Sequence, residues 1–303
     1  MAVLAKSDAA VAAGVETIWL ACHLFQRDII TTASVLLGRH PNLKIVLVVL
    51  SPYMMHPVHA AMAAATLDEF YPGRISLCLG MGAPADLASV GVEAKAPLAT
   101  MREALDLCRA LFAGDTVAME GERFRVTGRS LGSGACKASL LLAASGPKML
   151  QLAGSHADGV LLSAGASAGY VGWCLERVSH GGPGPDFRRC GLIYAAVDTD
   201  AVKARDHVRP MLATVLRGKH HARNLDLAGS RLDQDALAAS APDKAAAFID
   251  DEIVANHAAA GTAAIFARRI AGYRAAGLDD VILASMRTPE QITAVLAALN
   301  SSA

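Results

Sequence analysis

Nothing in this sequence is long and apolar enough to cross a membrane: the longest clean hydrophobic run, residues 45–50, has the length of a strand. The opening MAVLAKSDAAV also lacks the extended apolar core of a secretory leader, so a cytoplasmic location is expected. Charge of one sign is missing in bulk. Lys and Arg total 28 and so do Asp and Glu, which argues against a polyanion-binding surface and against nucleic acid as a partner. The six cysteines contain no CxxC pair and are scattered through predicted strands and helices, which fits reduced, buried thiols better than a disulfide scaffold. Charged residues make up only 18% against 53% hydrophobic ones, so core material is ample and there is little sign of disorder.

What is present is an alternation. Short apolar runs at 17–21, 45–50, 75–79, 140–144, 160–163, 192–197 and 281–285 have strand length, and helical segments separate them. The clearest helix starts at Pro97, carries Leu98, Met101, Leu105, Cys108 and Phe112 at three-and-four spacing, and ends at Gly114. Strands buried on both faces and alternating with helices indicate parallel βαβ units. No composition shift divides the chain. The expectation is therefore α/β, one (β/α)8 TIM-type barrel over residues 1–303 rather than a two-domain doubly wound sheet.

Only seven strands are convincing, and the segment before Gly14 is too short for both a strand and a helix. The first barrel strand is thus expected to be a stub at residues 1–4 or to be absent, leaving a gap with two exposed strand edges. Residues 219–242 are polar and irregular, and a loop of that length in a compact domain reads as a lid. Residues 116–126 read as a small hairpin and 243–259 as a helix.

The stretch LLLAASGPKMLQLAGSHADGVLLS (140–163) forms a complete strand–turn–helix–strand unit. Pro147 suits a first helical position. The preceding turn places unpaired amides and partial positive charge at the carboxyl end of a strand, where an anion is favoured. Ser145 adds a hydroxyl, Gly146 permits close approach and Lys148 contributes a positive charge. Two readings stay open: a phosphate seat for a cofactor, or a capped turn between barrel elements. Chemistry in such barrels gathers at the carboxyl ends of strands. That places His23, Ser51, Gly80, Gly82, Ser145, Gly146, Ser163 and Ala164 at the expected mouth.

Other signals read as structure. GMGAPA (80–85) is a loose dinucleotide fingerprint, but Pro84 interrupts it and Glu103, the carboxylate at the right distance, lies mid-helix. His56 and His59 form HxxH at a helix start without a third convergent ligand, so no metal is expected. Cys22 and His23 are neighbours on a strand, point to opposite faces and make a poor nucleophile–base pair. Arg74 falls at the amino end of a strand, where barrels build stability.

Taken together, WLACHLF (19–25), HPVHAAMAAATLDEFYPGRISLCLGMG (56–82), PLATMREALDLCRALFAGDTVAMEGERFRV (97–126), AASGPKMLQLAGSHADGVLL (143–162) and AGLDDVIL (276–283) resemble the bacterial luciferase-like superfamily, most of all its methylenetetrahydromethanopterin reductase branch. The resemblance implies a (β/α)8 barrel using reduced FMN for monooxygenation or the deazaflavin coenzyme F-420 for hydride transfer, with a small organic substrate. It also implies a homodimer and, for some members, a flavin or deazaflavin reductase that supplies reduced cofactor. By position, His23 matches the family histidine beside the ring. Ser145, Gly146, Pro147 and Lys148 match the phosphate turn, and Gly80, Gly82 and Ser51 match segments passing or supporting the ring. Ser163 and Ala164 end the next strand. Cys22 stands where the family usually carries an acidic residue. The alternative is a relative that keeps the barrel and cofactor but has lost turnover.

Overall fold

A computed structural model describes residues 2–300. Its frame is a curled, all-parallel sheet. The strands β1 (Thr17–Ala21), β2 (Lys44–Leu50) and β3 (Ile75–Leu79) are followed by an antiparallel hairpin, β4 (Val117–Glu120) and β5 (Arg125–Arg129). Then come β6 (Ser139–Ala143), β7 (Gly159–Leu162), β8 (Arg188–Val197), β9 (Ala259–Gly261) and β10 (Asp280–Ala284). The sheet runs β1-β2-β3-β6-β7-β8-β10, with β9 alongside the end of β8. All seven expected strands form; the inner ones are buried on both sides by helices outside and packed side chains inside, while the edge strands β1 and β10 are only partly covered. Val46, Val48, Cys78, Leu141, Leu161, Cys190 and Ile282 fill the inner face.

The sheet does not close. Among the described residues no strand pairs β10 to β1. Ala2–Ala12 is a helix that packs against the last helix, Pro289–Asn300, across that side. A stub at residues 1–4 is thus overturned for 2–4, which are helical, while Met1 lies outside the described residues. The architecture is a TIM-type (β/α)8 fold with one staves' width open between two half-exposed edge strands.

Three expectations change in detail. Residues 219–242 are not an irregular loop: they hold a 3-10 turn, Lys219–His221, and the helices Ala222–Ala228 and Gln234–Ala239. Residues 243–259 split into a 3-10 turn, Ala245–Phe248, a helix, Asp251–His257, and the start of β9. Both segments pack on the helix Ala201–Leu216 through a second apolar cluster that includes Leu212, Leu216, Leu225, Leu237 and Ile253. Pro84 does not interrupt a helix but begins a short one, Pro84–Ser89.

The amino ends of the strands are cross-tied. The Arg74 guanidinium donates to the carbonyls of Pro41 (2.6 Å), Leu37 (2.7 Å), Leu43 (2.8 Å) and His40 (3.1 Å). Asp68 accepts from the amides of Gly73 (2.8 Å) and Lys137 (3.0 Å), and Asp158 from that of Leu140 (2.7 Å). Glu103 accepts three amides of the hairpin turn, Glu122, Arg123 and Phe124, at 2.9 to 3.0 Å. Arg74 thus holds four carbonyls that have few other donors. Arg74→Ala is expected to lower the unfolding free energy by about 2 kcal/mol or more, read from urea unfolding. A loss under about 0.5 kcal/mol would show the contacts to be superficial.

Candidate active site

The carboxyl ends of the strands form an open mouth. At its centre is the turn after β6. Pro147 occupies the first turn of the helix Pro147–His156 and Gly146 is its N-cap, with φ −86° and ψ 150° and no side-chain cap. Among the described residues the amides of Gly146, Lys148 and Met149 donate to nothing within the chain; the first that does is Leu150, to the Gly146 carbonyl at 2.9 Å. A Cβ built on Gly146 meets no atom within 4 Å. The turn itself is fixed, since the buried Tyr170 hydroxyl donates to the Ser145 carbonyl at 2.8 Å. Burial pushes the Tyr170 phenol's pKa up, so it stays a donor. Lys148 is exposed. The arrangement is a braced turn with open space at Gly146 and amides without partners among the described residues, which fits a phosphate.

Ser51, Gly80 and Gly82 are brought together. The Ser51 hydroxyl, nearly buried at the end of β2, donates to the Met81 carbonyl at 2.8 Å. Gly82 has φ +82°, and a Cβ there would stand 3.3 Å from the Ser51 side chain. Gly80 is pressed between Val49 and Ala143, which a Cβ would meet at 3.0 and 3.1 Å. Any larger residue would push the end of β3 off β6. The floor beneath the mouth is therefore thin and close to backbone.

His23 follows β1 and is exposed, its Nδ1 3.9 Å from an Asp86 carboxylate oxygen. That carboxylate comes from the short helix begun by Pro84, so the acidic neighbour missing at Cys22 arrives from the loop after β3. Cys22 packs against the outer core, and burial pushes its thiol up in pKa. His56 serves as an N-cap, its Nδ1 accepting from the Val58 amide at 3.2 Å. No group of three metal-ligating side chains gathers among the described residues.

Ser163 is exposed and Ala164 nearly buried after β7; neither hydrogen-bonds to the Ser145 turn among the described residues. The loop they begin is clamped from the far side. The Gly165 carbonyl accepts from Asn224 Nδ2 at 2.7 Å and from His257 Nδ1 at 2.8 Å, and the Ser167 amide donates to Asn224 Oδ1 at 2.9 Å. His257 must therefore carry its proton on Nδ1 and accept from the Ser230 hydroxyl at Nε2, 3.0 Å away. Beside it His221 is 2% exposed, and its Nε2 has no partner.

The open-sided parallel barrel, with uncapped amides at the end of a central strand, defines the class: a TIM-type (β/α)8 barrel. The family described as Luciferase-like monooxygenase matches residues 3–280, and the chain belongs to it. It is similar to 5,10-methylenetetrahydromethanopterin reductases of Methanolobus tindarius (29% identical, 68% of this chain, 64% of the relative) and Archaeoglobus fulgidus (30%, 68% and 63%). The matches thus span just under two thirds of those relatives' length. The solved coenzyme F420-dependent tetrahydromethanopterin reductase of Methanopyrus kandleri has the same fold, with a TM-score of 0.86 at 20% identity over 98% of this chain and 92% of that one.

Burial, with the imidazoles of His220 and His257 adding to it, pushes the His221 pKa from 6.5 down to about 4. The unfolded chain protonates this ring near 6.5 and the folded one only near 4, so stability is full above about pH 6.5 and falls as pH drops between the two values. The fall amounts to roughly 3 kcal/mol at the acid end. His221→Phe is expected to remove most of it, read as urea midpoints at pH 7.5 and 5. An undiminished acid loss in the variant would place the titrating group elsewhere.

Proposed function

We propose that the chain is an oxidoreductase that binds a phosphate-bearing deazaflavin, F420, with FMN as the second candidate, and acts on a small organic molecule. The observation that carries this reading is the set of unpartnered amides around Gly146, on a turn locked by Tyr170. The F420 dependence of the Methanopyrus kandleri protein and the reductase relatives favour deazaflavin over flavin. Ser145, Gly146 and Lys148 would hold the phosphate, with Pro147 setting the helix start. Gly80 and Gly82 would give the ring close backbone passage, with Ser51 bracing the loop and Ser163 and Ala164 bordering it. When bound, the deazaflavin supplies or takes up a hydride; reduced FMN would instead supply electrons to oxygen.

His23 is the residue for the proton. Exposed at the rim, it can reach a substrate atom, and Asp86 lies 3.9 Å away, close enough to orient the ring. Residues 1–303 work in this reading as one unit, with 219–242 as a helical lid anchored through Asn224 to the loop after β7. A cytoplasmic location and a reductase that regenerates the cofactor belong to the same reading. A homodimer is supported by three exposed apolar side chains, Val35, Met62 and Phe70, on the helices Ile29–Arg39 and Pro57–Phe70.

Titration with F420 and with reduced FMN, followed by absorbance, tests the proposal; binding of neither at high micromolar concentration ends it. Gly146→Val has room in the free protein, so it should fold normally while weakening cofactor binding about ten-fold or more. His23→Ala should retain binding and lose turnover by about a hundred-fold. Equal turnover in wild type and His23→Ala would remove the histidine from the chemistry.

A further inference from the structure

A cavity of about 600 Å³ lies apart from the mouth, between the helix Asp251–His257, β9, the helix Ala263–Ala275 and the start of the helix Ala168–Ser179. None of the residues assigned above to phosphate, ring or proton lines it. Three arginines do: Arg205, Arg268 and Arg269, against one carboxylate, Asp251. Asp251 is already shared, since Arg205 pairs with it at 3.0 Å and Arg209 also contacts it. Arg268 and Arg269 have no carboxylate within ion-pair distance among the described residues, and the buried Nε of Arg205 has no hydrogen-bond partner. Asn256 also lines it, its Nδ2 already donating to the Ala228 carbonyl and the Ser230 hydroxyl, and the rest of the wall is apolar or small, with Ile265, Ala255, Ala260 and the Tyr273 ring, whose hydroxyl donates to the Ala166 carbonyl at 2.9 Å.

We propose that this cavity is a second binding site, for a small phosphorylated organic molecule. Surplus positive charge converging on this half-open cavity, with Arg268 exposed, Arg269 half-buried and the Arg205 Nε buried without a partner, favours an anion there. Guanidinium forks match phosphate oxygens bidentately, which makes arginine the residue for such an anion. The volume is that of a small-molecule site, and the apolar wall suits a carbon body rather than a bare ion. The cavity reaches Ala168, next to the loop that Asn224 and His257 clamp at the mouth. Occupancy is thereby placed to stiffen the same helical segment.

Isothermal titration of the full chain with inorganic pyrophosphate, at fixed ionic strength and with citrate as the carboxylate control, tests this. Wild type should bind pyrophosphate more tightly than citrate. The double variant Arg268→Gln, Arg269→Gln, made in the Gly146→Val background so that the phosphate seat at the mouth does not contribute, should bind at least about ten-fold more weakly than Gly146→Val alone. Neither arginine makes an ion pair within the chain, so the double variant should fold; circular dichroism checks this, and Arg268→Gln alone serves if it does not. Two results overturn the site: no pyrophosphate binding to Gly146→Val at millimolar concentration, or unchanged affinity when the two arginine substitutions are added to it. Citrate binding as tightly as pyrophosphate overturns the assignment to phosphate. Because the arginine substitutions are judged against Gly146→Val alone, failure here leaves the mouth reading standing, and the reverse holds too.

Discussion

The turn between β6 and its helix is held in a shape that its own chain cannot satisfy. A helix start always leaves amides without intrahelical partners, and most are covered by a capping side chain. Elsewhere in this molecule Asp28, Ser167, Asp200, Asp233 and Asp250 do that work for their helices. At Gly146 there is no such side chain, and Tyr170 fixes the Ser145 carbonyl from behind so that the turn cannot fold back over its donors. The barrel strands bring this uncapped end to the mouth, where Gly80 is pressed against Val49 and Ala143.

The two ends of the sheet divide labour. At the amino ends, Arg74, Asp68 and Asp158 spend their hydrogen-bonding capacity on neighbouring loops. At the carboxyl ends, donors are left open and loops are tied from outside instead. The clamp of Asn224 and His257 on Gly165 shows how the segment between β8 and β9 contributes without entering the barrel. The unsealed side between β10 and β1 makes this outside bracing more important, because ring closure does not hold those loops in register.

Much of this was legible in the residues. Both-face burial produces runs such as KIVLVVL and SLLLA, and these announce parallel strands with little ambiguity. The SGP turn announced a helix start after a strand. What was hidden depends on contacts distant in sequence. The strand AAG at β9 carries no β-branched residue and exists only through pairing with β8. The short helices of 219–242 have few apolar positions each and are held by Leu225, Leu237 and the buried amides of Asn224 and Gln234, which no local pattern reveals. No local pattern marks Asp86 as the carboxylate that the fold sets beside His23. The burial of His221 and His257 likewise follows from packing alone.

Hydrogen–deuterium exchange with and without F420 reads the uncapped turn directly, amide by amide. If these amides seat the coenzyme's phosphate, Gly146, Lys148 and Met149 become protected on binding, while the strand cores stay unchanged. Binding that leaves those three exchanging as fast as before, with protection appearing only elsewhere, would contradict the central claim.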